Sequence, residues 1–104
     1  MKALVNPDLY RPIVRIIDDE ETVRNSEAFT LRVVGLETAC YATAEEFLEK
    51  DDLRYPGCII LDVRMPGMSG PELQQEINKR EIDLPIIFLS AHGNIGLAVD
   101  TLKR

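Results

Sequence analysis

Short apolar runs alternate with amphipathic stretches along the whole chain. Ile13-Val14-Arg15-Ile16-Ile17 is rich in β-branched residues, follows Pro12 and closes on Asp18-Asp19, which predicts a strand. From residue 20 to about 34 the pattern is helical, with acidic residues in the first turn and Gly35 as the stop. A short second strand is expected over residues 37–41. Thr43-Ala44-Glu45-Glu46 is a capping box, opening a helix through Phe47 and Leu48 to about Lys50. Pro56-Gly57 interrupts, and Cys58-Ile59-Ile60-Leu61 follows as a wholly apolar third strand ending at Asp62. The loop from Val63 to Met68 leads to a second capping box, Ser69-Gly70-Pro71-Glu72, and a helix through Leu73 and Ile77 to about Arg80. Pro85 introduces a fourth strand, Ile86-Ile87-Phe88-Leu89, which ends at Ser90. After Gly93 a final helix is expected from near Asn94 towards Leu102.

The expected order is therefore βαβαβαβα. Continuous apolar strands alternating with helices predict an α/β fold, a doubly wound parallel sheet covered on both faces. In such sheets functional groups gather at the carboxyl ends of the strands, near the point where strand order reverses. Asp18 and Asp19 end the first strand, Asp62 the third and Ser90 the fourth, so all of them fall on one edge. The first helix is less regular. Its stripe of Val23, Leu31 and Val34 also takes in Ser26, Glu27 and Thr30, where helical spacing asks for apolar residues. That polar stripe suits a partner, a face left open by a missing element, or ordinary variation at the boundary of a helix face.

Carboxylates converging on one edge repel one another and need a cation or a shared proton. Hard oxygen donors with room for water suit Mg²⁺, which takes few carboxylates and completes its octahedron with water and phosphate oxygens. Each element also has a plainer use: Asp-Asp after a strand is a common helix cap, and a lone Asp or Ser at a strand end is a common turn residue. The matching positions on successive strands favour the chemical use.

Composition narrows the picture further. The chain has 104 residues, 45% hydrophobic and 29% charged, which fits one globular domain. Its formal charge of −6 argues against a nucleic-acid surface, which needs a cationic patch. No run approaches the ~20 apolar residues of a membrane span, and residues 1–12 hold no signal-peptide core. Cys40 and Cys58 form no CxxC pair and are expected as buried free thiols, so the chain is expected in the cytoplasm.

The chain resembles the receiver domain of bacterial two-component response regulators, in its FixJ-like branch. The residues that carry the likeness are Ile16-Ile17-Asp18-Asp19-Glu20, Thr43-Ala44-Glu45-Glu46-Phe47-Leu48, the segment from Leu61-Asp62-Val63-Arg64-Met65-Pro66 through Gly67-Met68-Ser69-Gly70, and Phe88-Leu89-Ser90-Ala91-His92-Gly93. The resemblance implies that Asp62 accepts a phosphoryl group from a sensor histidine kinase. It implies that Asp19 and Asp62 ligate Mg²⁺ by their side chains, Arg64 by its backbone carbonyl and Asp18 through a water. Ser90 becomes the switch residue that hydrogen-bonds the phosphoryl group, Ala91 leaves room beside it, and His92 borders the site as a loop residue. The side chain of Arg64 either fences the phosphate or is solvated. Met65 and Met68 are expected to be structural, and Glu45, Glu46 and Glu49 to form a solvated helix face.

The family pattern also has a fifth strand bearing a lysine, and a fifth helix. These do not appear in the sequence before Arg104, and Lys103 falls in the expected fourth helix. The expectation is thus a single receiver domain over residues 1–104, incomplete at its C-terminal end and with no output domain. An apolar fourth strand left at the edge predicts marginal folding, cover by a second receiver copy, or a longer molecule that continues past Arg104. The chain is expected to be a phosphoacceptor with at most slow autodephosphorylation, serving transcription regulation, with no nucleic acid or membrane bound by this segment. Two alternatives stay open: a pseudo-receiver or interaction module that phosphorylation does not switch, and a small Mg²⁺-dependent phosphatase. Against the phosphatase, the position two residues after Asp62 holds Arg64 and not a second acid.

Overall fold

The computed structural model describes residues 11–63 and 67–89 in full and the backbone of 97–100. The elements run β1 (Ile13–Ile17), α1 (Glu21–Val33), β2 (Glu37–Tyr41), α2 (Ala44–Lys50), β3 (Gly57–Asp62), α3 (Gly70–Lys79), β4 (Ile86–Leu89) and β5 (Leu97–Asp100). One sheet holds all the strands in the order β2-β1-β3-β4-β5. The first four are parallel, as the apolar runs require.

The expected helices form for the expected reasons. Gly35 stops α1 with a positive φ of 94°, its N–H bonding the Arg32 carbonyl at 2.9 Å. Thr43 caps α2 by accepting from the Glu46 N–H, and Glu46 accepts in return from the Ala42 N–H at 2.8 Å. Ser69 and Glu72 form the reciprocal box at the start of α3, with Pro71 in its first turn.

The fourth βα unit does not follow the expected pattern. Where the 94–102 stretch was expected to be helical, residues 97–100 form an extended strand antiparallel to β4, pairing Leu89 with Leu97 and Ile86 with Asp100. A parallel addition needs a crossover of a dozen or more residues, whereas an antiparallel return needs only a short reversal. The open edge of β4 offers unpaired N–H and C=O groups to whatever segment reaches it first. The fifth sheet position is thus filled from within the chain, which moves the open edge from β4 to β5.

Side chains alternate across the sheet and build two unequal cores. Ile17, Ile59, Leu61 and Ile86 pack with Ala44 and Phe47 of α2 and Leu73 and Ile77 of α3. On the opposite face, among the described residues, Val14 and Ile16 meet Ala28 of α1 as their fully buried partner, with Leu31, Cys58 and Ile60 partly buried around them. The inner side of α1 differs from the expected stripe. Ser26, Thr30 and Val34 are exposed, as are Phe29 and Val33, whereas Glu27 and Leu31 are half-buried. A face that offers one fully buried alanine holds α1 by a narrow seam. Both thiols are free, but Cys40 is exposed on edge strand β2 rather than buried, and Cys58 is half-buried.

Among the described residues the largest fully buried side chain is a charged one, Arg15, in the middle of β1. Its Nε donates to Asp51 Oδ2 at 2.9 Å, Nη1 to the Ile13 and Pro56 carbonyls at 3.0 and 3.1 Å, and Nη2 to the Asp52 and Tyr55 carbonyls at 3.1 and 2.8 Å. The other Asp51 oxygen accepts from the Tyr41 hydroxyl at 2.6 Å. One guanidinium thus holds three carbonyls of the turn between α2 and β3. At the same point Gly57 has a φ of 141°, and a Cβ there would collide with the Ile13 backbone carbonyl, so β1 and β3 start in close contact.

Removing one partner of a buried ion pair leaves an uncompensated charge, which costs ~3–5 kcal/mol. Asp51→Ala is therefore expected to lose that much stability in urea unfolding, and the double variant Arg15→Met/Asp51→Ala is expected to lose less. Equal or greater loss in the double variant would show that the carbonyl contacts of Arg15, not its charge pairing, carry the turn.

Candidate functional site

Because β1 and β3 are parallel neighbours with Ile17 opposite Leu61, the residues that follow emerge side by side at the carboxyl edge. Here the chain order also reverses, β2 lying on one side of β1 and β3 on the other. Asp18 is buried, Asp19 exposed and Asp62 half-buried, and one carboxylate oxygen from each lies within 4.8 Å of the others. Sequence position had suggested this convergence, and the fold brings all three together.

Asp18 also performs the plainer task weighed from sequence. Its Oδ1 accepts from the Glu20 N–H at 2.9 Å, fixing the turn into α1. Its own N–H donates to the Tyr41 carbonyl at 3.2 Å, and its carbonyl accepts from Arg24 Nη1 at 2.7 Å. Burial pushes the Asp18 carboxyl above its ordinary value; the Glu20 hydrogen bond works against this, and the charges of Asp62, Asp19 and Glu20 add to it. A carboxylate whose ionised form is disfavoured by burial and like charge is one that a cation would relieve.

Glu27 belongs to the same electrostatic unit, which the sequence reading missed. Burial first, then the charges of Asp18 and Asp62, push its carboxyl from 4.5 to about 7. The signal in the sequence was an acidic residue on the inner stripe of the first helix, assigned there to a partner or an open face. Its surroundings are instead the acidic edge.

The donor set is all carboxylate oxygen, which fits a hard cation such as Mg²⁺ and does not suit a soft metal. Asp18, Asp19 and Asp62 are the described residues that could hold it. Arg64, Ser90, Ala91 and His92, the other residues expected at the site, lie outside the described residues, as does Met65. Met68 is half-buried against the larger core, in keeping with a structural role. Two of the glutamates expected to form a solvated face have partners: Glu46 accepts from the Ala42 N–H at 2.8 Å, one residue before the Thr43 cap, and Glu45 accepts from the Met68 N–H at 3.1 Å.

Comparison with known proteins agrees with this arrangement. A family model described as the response regulator receiver domain matches residues 14–104. The transcriptional regulatory protein TdiR of Thauera aromatica is 40% identical over 91 residues, covering 88% of this chain and 40% of that protein. The transcriptional regulatory protein FixJ of Azorhizobium caulinodans is 42% identical over 90 residues, covering 86% of this chain and 43% of its own length. The chain thus spans about two fifths of these relatives. Among solved structures, the response regulator protein TrrA of Thermotoga maritima, in complex with Mg²⁺-BeF, superposes with a TM-score of 0.68 at 34% identity, covering 79% of this chain and 71% of that one.

The raised carboxyl of Glu27 has a defined consequence for stability. Between about 4.5 and about 7 the folded chain keeps a proton that the unfolded chain releases. The stability so gained is full below about 4.5 and is lost as pH rises through about 7. Glu27→Gln is expected to be more stable than the parent at pH 8, by on the order of 1–2 kcal/mol after allowing for solvent screening, and about equal at pH 4.5. Urea unfolding of both proteins across this range checks it. Parallel pH curves for the two would remove Glu27 from the acidic unit.

Proposed function

The chain belongs to the response regulator receiver domain family, and from that premise we propose that Asp62 accepts a phosphoryl group from the phosphohistidine of a sensor kinase. The observation that carries the reading is Asp62 at the end of β3, half-buried, with the carboxylates of Asp18 and Asp19 converging on it. In the transfer, an Asp62 oxygen forms a bond to phosphorus as the bond to the donor imidazole nitrogen breaks. That nitrogen keeps the electron pair, and an acyl phosphate stands on Asp62. A carboxylate suits this because it is ionised near neutral pH and needs no general base.

Asp19 and Asp62 would hold Mg²⁺ by their side chains, Asp18 through a water and Arg64 through its backbone carbonyl. When bound, the ion supplies positive charge for the phosphoryl oxygens and for the carboxylates gathered there. That TrrA is found in complex with Mg²⁺-BeF supports a cation as part of this reading. Ser90 would hydrogen-bond the phosphoryl group and act as the switch residue, with Ala91 leaving space and His92 at the border. The chain is then a phosphoacceptor with at most slow loss of the phosphoryl group to water, not a turnover enzyme.

The named relatives are transcriptional regulatory proteins. The segment is best read as the input module of such a regulator, working in the cytoplasm with a histidine kinase as partner. Among the described residues no helix is long and apolar enough to cross a membrane.

Incubation with acetyl phosphate and Mg²⁺, followed by intact mass, tests the reading: the parent should gain one phosphoryl group and Asp62→Asn none. An adduct on the Asn variant, mapped to another residue, would remove Asp62 as the acceptor. Turnover of acetyl phosphate with no adduct would point to phosphatase chemistry. Asp19→Ala should weaken Mg²⁺ binding at least ~10-fold and slow phosphorylation together, since one ligand serves both. An unchanged Mg²⁺ titration would take Asp19 out of the metal site.

A further inference from the structure

Asp19 is the least supported member of the acidic edge. It is exposed, and among the described residues no side-chain hydrogen bond or ion pair holds its carboxylate. Its position therefore depends on the backbone to either side, and that backbone is tied at three points. The Asp18 N–H donates to the Tyr41 carbonyl at 3.2 Å, and the Glu20 N–H donates to Asp18 Oδ1 at 2.9 Å. The third tie comes from a side chain: Arg24 Nη1 donates to the Asp18 carbonyl at 2.7 Å. That carbonyl belongs to the planar peptide that joins Asp18 to Asp19, so Arg24 fixes the plane from which Asp19 leaves.

Arg24 lies one turn into α1, half-buried, and its own N–H donates to the Glu20 carbonyl at 3.0 Å. The helix that carries the guanidinium is thus joined to the turn it reaches back to. Glu20, at the N-cap, makes no side-chain cap. The bonds from Arg24 and from the Asp18 carboxylate are the side-chain ties that the described residues supply to this turn. Although Arg24 is bonded to the backbone of a clustered carboxylate residue, among the described residues it forms no ion pair. A charged donor on a neutral carbonyl makes a strong bond and leaves the carboxylate oxygens free of its charge.

We propose that Arg24 is a positioning residue for the acidic edge: by holding the Asp18 carbonyl it sets the Asp18–Asp19 peptide so that both carboxylates converge on Asp62. The inference rests on the Mg²⁺ reading above. Its physical basis is that Mg²⁺ demands near-ideal placement of its donors, and that groups behind the donors set their orientation. Charge and positioning predict opposite signs. As a mere positive charge Arg24 opposes a cation nearby, whereas as a fastener of the backbone it favours one.

The test uses the full chain with Arg24→Met and Arg24→Lys. Methionine keeps an apolar stem and removes the guanidinium; lysine keeps the charge, the reach and a donor for the single bond to the carbonyl. Three measurements are made on each: melting temperature, metal-free amide exchange at Glu20, and affinity for Mg²⁺ alone by NMR titration. In Arg24→Met, Glu20 exchange should quicken and Mg²⁺ affinity should fall by about tenfold, although a positive charge has been removed. Arg24→Lys should recover most of both. Tighter Mg²⁺ binding in Arg24→Met would show that Arg24 acts as a charge alone. Unchanged affinity with a lower melting temperature would show that it only fastens α1, and either result overturns the proposal. A lysine variant as weak as the methionine one would overturn it too. No Mg²⁺ binding by the parent itself would overturn the metal reading and this inference with it, a failure seen before any variant is compared.

Discussion

The parallel pairing of β1 with β3 is the constraint on which the rest of the molecule depends. It is set at the foot of the two strands, where the Ile13 N–H donates to the Pro56 carbonyl at 2.8 Å and Gly57 lies against the Ile13 backbone. Arg15 fastens the same point by holding the carbonyls of Asp52, Tyr55 and Pro56. With the foot fixed, the register runs without slippage to Ile17 opposite Leu61, and the chemistry begins one residue later at Asp18 and Asp62. A shift of one residue would turn every side chain of one strand to the opposite face. It would place Leu61 at the acidic edge and a carboxylate in the apolar core.

That arrangement is electrostatically costly in the absence of a cation. The chain carries a net charge of −6, and the acidic edge draws Asp18, Asp19, Asp62 and the charge-sensitive Glu27 into one neighbourhood. Burial of Asp18 sharpens the repulsion, because water no longer screens it. The fold sustains the tension through interactions remote from the site: the larger core between the sheet and α2 and α3, and the buried Arg15–Asp51 pair. Strain concentrated where a divalent cation and a phosphoryl group are proposed to meet is what a binding edge of this kind requires.

The two faces of the sheet are not equally secured. The α2–α3 face holds Phe47, Leu73, Ile77 and four strand residues in one cluster, and its helices begin with side-chain caps. Among the described residues the α1 face buries little more than Val14, Ile16 and Ala28, and Glu20, at the N-cap of α1, makes no side-chain cap. Among the described residues, the half of the sheet that α2 and α3 cover is the more densely packed one.

The four parallel strands, the helix caps at Thr43 and Ser69 and the placing of Asp18, Asp19 and Asp62 at strand ends could all be read from the sequence, because each rests on local physics. Apolar runs of β-branched residues, Ser or Thr three positions before Glu, and an acidic residue at a strand's end act within a few residues of themselves. What tertiary structure decided was everything that depends on a distant partner. Arg15 looked like one polar residue in an apolar strand, and only the arrival of the 51–56 turn makes it the buried anchor of the sheet. Glu27 looked like a polar break in a helical stripe, and its carboxyl is raised because α1 lays it near Asp18 and Asp62. Glu45 looked solvated until the segment from Gly67 came within reach. Residues 97–100 had a helical pattern, yet they extend along β4, because the hydrogen-bonding demand of an open sheet edge outweighs a weak local propensity.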